Sequence, residues 1–215
     1  NNNNNNNNKE TQQINSSTSS TVHSPSLKES IKSTFRIWSS LLTTNSGVQS
    51  LTILNGVYWI TLSGTQFTIL PFLMMNPMLN MSVQDIGLTY TLMSVISVLV
   101  SEPIAYLADK YSKNYLIYTG CGMISVSTAC LPFVTSSTEL FMVLVPLSIG
   151  STIMQNVPSA SILNLCNNSE EQKSNGLSLI RTIGDLGLVT GGIMAGLIST
   201  YTSTDIAIYC QSSLL

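Results

Sequence analysis

The sequence predicts an all-α membrane protein: a bundle of five complete transmembrane helices and the start of a sixth. Three observations carry this. Charged residues make up only 8% of the 215-residue chain, about a third of the share in soluble proteins. The second half and much of the first consist of apolar runs long enough to cross a hydrocarbon core, which takes about 20 helical residues. The few Lys and Arg residues alternate from side to side between those runs. The mean hydropathy of +0.30 hides this, because it averages a polar tail with the apolar remainder.

The chain opens on an asparagine run followed by Ser, Thr and Gln. Residues 1–25 cannot bury enough apolar surface to offset the entropy of ordering and are expected to be disordered. The run lacks the basic region and apolar core of a signal peptide. Residues 26–43 then read as an amphipathic helix. Leu27, Ile31, Phe35, Trp38 and Leu42 recur every three or four residues, and Lys28, Lys32 and Arg36 form a second row. Ser26 and Glu29 fit a capping box. Such a helix suits the membrane surface, with its basic side toward anionic headgroups.

The transmembrane bundle is expected over residues 50–215. No charged residue occurs between Ile37 and Gln84, and the first span covers about 51–75. The next four cover about 86–108, 115–134, 140–166 and 176–199, and residues 205–215 look like the start of a sixth. These segments lack the polar faces of a water-soluble bundle. Because that last stretch is too short to cross, the chain reads as a truncated product or a fragment of a longer protein. Lys28, Lys32 and Arg36 precede the first span, Lys110 and Lys113 separate the second from the third, and Lys173 separates the fourth from the fifth. The intervening loops 76–85, 135–139 and 200–205 contain neither residue type. The positive-inside rule therefore predicts a cytoplasmic N-terminus and a cytoplasmic 109–114 turn. The acceptor-type triplet at Asn80 falls on the outer side but very near the membrane, and those at Asn15 and Asn167 fall on the cytoplasmic side.

Composition also excludes function classes. Cys121, Cys130, Cys166 and Cys210 form no CxxC pair, and the one histidine, His23, lies in the polar tail. Neither a disulfide framework nor a metal site is expected, and no cofactor. Sparse Lys and Arg with a pI near 5.2 argue against a nucleic-acid partner. No nucleophile motif or phosphate loop suggests an enzyme. The expected partners are the lipid bilayer and a small-molecule substrate.

Ionisable groups within the spans are the first site candidates, because charge there is costly and normally faces a cavity or a partner. Arg181 and Asp185 stand four apart in the fifth span and could neutralise one another. Glu102 and Asp109 share a face of the second span, near Lys110 and Lys113, and suggest a charge network at the cytoplasmic gate. Gln66, Gln155 and Asn156 are candidate uncharged contacts to a substrate, or amides that stitch helices together.

The turn "ADKYSKN", Ala108 to Asn114, resembles the loop between the second and third helices of the major facilitator superfamily. In that pattern Asp109, Lys110 and Lys113 match the acidic and two of the basic positions, while Ala105, Ser112 and Asn114 depart from it. The stretch "GLVTGGIMAG" in the fifth span is similar to the family's antiporter-type glycine motif. Gly187, Gly191 and Gly196 match, Gly192 replaces a proline and Ala195 a glycine. Small residues at spacing four let helix backbones pack closely in lipid, which makes these glycines helix-packing candidates. The resemblance covers roughly residues 50–215 and corresponds to the first half of a twelve-helix transporter. It implies a secondary active transporter that works by alternating access and needs a missing C-terminal half for activity. It also implies a gating role for Asp109. Many proton-coupled members carry an arginine four residues before a glycine in the fourth span, and counting back from Gly150 reaches Pro146 instead. The alternative is a non-transporting, receptor-like or regulatory membrane protein of the same fold.

Overall fold

A computed structural model describes residues 27–75, 79, 81–166 and 169–201. The polar tail, His23, Ser26, the acceptor asparagines Asn15, Asn80 and Asn167 of the three triplets, Cys210 and the start of a sixth span at 205–215 lie outside the described residues. The chain divides into two units, residues 1–36 and 37–215. Of the first, the described part is helix, the opening turns of α1 (Leu27–Thr44). There Ile31, Lys32, Phe35 and Arg36 are all exposed.

Among its described residues the second unit consists of helices joined by short turns. A single residue, Asn45, separates α1 from α2 (Ser46–Leu62), and its side-chain oxygen accepts from the Gly47 N–H at 3.0 Å to cap the new helix. The first span starts earlier than residue 51 and is not one α-helix. It runs from α2 into a π-helix over Ser63–Ile69 and ends in α3 (Leu70–Met74). Proline explains the change. Pro71 has no N–H, and in an α-helix its ring would press on the Phe67 carbonyl. The wider turn avoids that contact, and the Leu70 N–H reaches back to the Thr65 carbonyl. The Gln66 carbonyl is left without a helical donor, since the residue five positions on is Pro71 itself.

The remaining spans are α4 (Val83–Lys110), α5 (Lys113–Cys130, extended by a 3₁₀ turn to Phe133), α6 (Ser137–Leu165) and α7 (Glu170–Tyr201). Each is long and apolar enough to cross a membrane. α7 begins about two turns before the expected span, and its first turns are polar: Lys173 pairs with Glu170 at 2.8 Å. α4 and α6 start with full capping boxes, Ser82 with Asp85 and Ser136 with Glu139. Both caps lie at the end of the bundle opposite Lys110. Many of the Ser and Thr residues inside the spans satisfy their hydroxyls within their own helix, although the buried Thr128 hydroxyl of α5 has no hydrogen-bond partner among the described residues. Thr52, Ser148, Thr152 and Ser161 each donate back to the carbonyl four residues earlier, at 2.7–2.8 Å, a bond that needs no outside partner.

α6 is the central helix. Leu140, Leu144, Leu147, Met154, Val157 and Ile162 are buried along it, and α2, α4, α5 and α7 all pack against it. α2 packs along α7, and α5 along α6. α4 and α7 stay the least enclosed. On α4 the uncovered side carries Val98, Leu99, Glu102, Tyr106 and Asp109. A smaller core where α2 starts and α6 ends joins Val48, Ile162, Cys166, Leu179 and Ile180, with Trp38 and Leu42 of α1 against it.

Candidate functional site

Within the bundle, one chain of uncharged polar groups links three spans. It is assembled by the irregular first span. Tyr58 of α2 is fully buried, and its hydroxyl donates to the Ser151 carbonyl of α6 at 3.3 Å. The same hydroxyl accepts from the Gln155 side-chain amide at 3.2 Å. One turn into the π-helix, the Gln66 amide donates to the Ser151 hydroxyl at 3.3 Å. The Gln66 carbonyl left free by Pro71 accepts from the Tyr90 hydroxyl of α4. A phenol from a neighbouring helix thus supplies the donor that proline cannot. Close by on α6, Asn156 donates to Ser101 of α4 at 3.4 Å. Gln155 and Asn156 are exposed and Gln66 is half-buried, so part of this polar surface faces away from the packed core.

Gln66, Gln155 and Asn156, the three amides the sequence points to, all lie on the α2, α4 and α6 side. Each donates one amide N–H to another helix. Tyr58, Tyr90 and Ser151, which connect them, were not expected. An aromatic residue in an apolar run gives no sign that its hydroxyl is engaged. Tyr90 did leave a trace: a proline at position 71 strands a carbonyl in the turn before it, and some donor must reach it.

The charged candidates sit differently from expectation. Arg181 and Asp185 share a face of α7 and are both exposed, but among the described residues no ion pair joins them. Spacing four brings two side chains near one another without forcing contact. Nor do Glu102 and Asp109 form a network with the two lysines. Lys113 turns toward α6 and donates to the Ala160 carbonyl at 3.0 Å. Lys110 lies beside the Tyr106 and Tyr111 rings, 6.0 and 5.8 Å from their centres, a cation–π arrangement at the outer limit of its range. The turn itself is Tyr111 and Ser112, with Asp109 exposed just before it.

The glycines divide as well. At Gly191 an added Cβ would overlap the Ile60 carbonyl of α2, and at Gly187 it would lie 2.7 Å from the Gly56 carbonyl. Gly184, one turn earlier, would meet the Trp59 ring at 2.7 Å. A Cβ on Gly192 meets the Ser63 hydroxyl at an ordinary 3.4 Å, and around Gly196 the space is open among the described residues. The close face is thus Gly184, Gly187 and Gly191. Two side chains of the first span exploit the closeness. Asn55 donates to the Ile180 carbonyl at 2.9 Å, and Ser63 to the Leu188 carbonyl at 2.5 Å.

The arrangement is a helical bundle with four helices long and apolar enough to cross a membrane, a composite α2–π–α3 segment before them, a two-residue turn between α4 and α5 and a glycine face between that first segment and α7. The family model described as Major Facilitator Superfamily matches residues 17–213. The chain belongs to the major facilitator superfamily. Members of the major facilitator superfamily are membrane transporters rather than enzymes, and the general function of this chain is transmembrane transport. No curated protein and no solved structure matches the chain.

Proposed function

We propose that this chain forms one bundle of a secondary active transporter that moves a small solute by alternating access. The observation that carries the reading is the location of charge. Glu102 on α4, and Arg181 and Asp185 on α7, are exposed on spans that cross the membrane. A charge facing lipid at the centre of a span costs about 2.5–3.5 kcal/mol on insertion scales. A second bundle, closing on the α4 and α7 faces around a water-filled path, removes that cost. Two bundles rocking about a site near the midplane are the arrangement alternating access requires. In this reading the solute meets Gln155, Asn156 and Gln66, and Asp109 contacts the second bundle in one of the two states. The N-terminus and the Lys110 turn face the cytoplasm, as the distribution of Lys and Arg supports.

The gating role has a direct test. In the transporter with both bundles, Asp109→Asn removes one charge from an exposed turn that holds no part of the core. Insertion and folding should be unchanged. Solute uptake into sealed vesicles should fall by roughly fivefold or more, as expected when a contact worth about 1 kcal/mol biases one of two states. Uptake at the unsubstituted rate would remove Asp109 from the gate.

A further inference from the structure

We propose that the opening turns of α1 form a docking surface for anionic lipid headgroups of the bilayer the protein spans. Ile31 and Phe35 stand one turn apart and are 48% and 62% exposed. Both are large apolar side chains, and water is a poor environment for either. Lys32 and Arg36, also one turn apart, are exposed beside them. The helical register sets the apolar pair and the basic pair on adjoining faces rather than opposite ones. That geometry suits an interface, where apolar groups enter the acyl boundary while ammonium and guanidinium groups stay at headgroup depth. One acid, Glu29, lies in the preceding turn and leaves the row net positive.

Two further observations favour lipid over a soluble partner. Only Asn45 separates α1 from α2, the first helix of the apolar bundle, so the basic row is close in sequence to the membrane domain. The basic residues also match the charge of anionic headgroups, and juxtamembrane Lys and Arg are attracted to such surfaces within a Debye length. Each basic residue contributes about fivefold to binding at an anionic surface, so Lys32 and Arg36 together contribute about twenty-five-fold.

The test is hydrogen exchange of the backbone amides of residues 27–36 in the intact protein, reconstituted in bilayers of two compositions. In bilayers with about one-third phosphatidylserine, these amides should exchange on the order of tenfold to thirtyfold more slowly than in pure phosphatidylcholine. The amides of α6 should not differ between the two. Combined Lys32→Glu and Arg36→Glu substitutions should abolish the difference and leave α6 protection intact. Equal protection in both lipids would overturn the proposal, because the helix would then be ordered by protein contacts or by apolar insertion alone. Absence of protection in either lipid would overturn it equally.

Discussion

Gly191→Ala is expected to loosen the first span from the fifth, with a loss of about 1–3 kcal/mol typical of overpacked interiors. The sign is informative, because intrinsic preference points the other way. Alanine is favoured over glycine in a helix interior by about 1 kcal/mol. At Gly191 that gain is outweighed by overlap with the Ile60 carbonyl. A carbonyl is part of the α2 backbone and cannot swing aside as a side-chain tip can. The helices must separate, and the Asn55 and Ser63 bonds to α7 backbone carbonyls would lengthen with them. Gly196→Ala is the matched control. It lies on the same helix, five residues on, with open space at its Cβ among the described residues, and should leave stability unchanged or slightly raised. Thermal unfolding of both variants in detergent, followed by near-ultraviolet circular dichroism, separates the two. Equal midpoints would show that the close face does not hold the bundle together.

Tyr58→Ala should be the most damaging substitution in the polar chain. It removes a fully buried ring between α2 and α6, and emptying such a site costs about 3–5 kcal/mol for a large aromatic side chain. It also deprives Gln155 of its acceptor and the Ser151 carbonyl of a donor. Tyr58→Phe isolates the hydroxyl. Interhelical hydrogen bonds in membranes average about 0.6 kcal/mol and reach about 1.7, so phenylalanine should cost less than half of what alanine does. The same unfolding measurement ranks them. A phenylalanine variant as unstable as the alanine variant would mean that the hydroxyl, not the ring, supplies most of the stabilisation.

The architecture was legible where the physics is local and repetitive. Spans two to five follow from apolar runs, because lipid requires a continuous, internally bonded helix and permits few charges. Gly187 and Gly191 were legible as packing residues because spacing four puts them on one face. What the spacing does not carry is which way that face turns. Gly191 touches the first span and Gly196, equally small and on the same helix, does not; Gly184 touches it and lies outside the motif. The π-helix of the first span escaped for a related reason. Hydropathy registers Pro71 as a tolerated residue, while its effect is on backbone donors one turn earlier. Pairing of charges was least legible. Arg181 and Asp185 have the spacing of an ion pair, yet that spacing alone does not bring the two side chains into contact. Lys113 found a backbone carbonyl on α6 instead of the acid four residues before it.

Uptake into sealed vesicles by the transporter with both bundles, with and without Gln155→Ala and Asn156→Ala, tests the central claim most directly. The claim is that the exposed amides of α6, held by Tyr58 and Ser101, contact the solute in the membrane. A screen of small solutes with the unsubstituted protein should find one that accumulates. Each substitution removes a neutral hydrogen bond worth about 0.5–1.5 kcal/mol, so uptake of that solute should fall between about twofold and tenfold while expression and unfolding midpoint stay close to the parent. Unchanged uptake in both variants, with the parent active, would contradict this account and move the solute path away from α6.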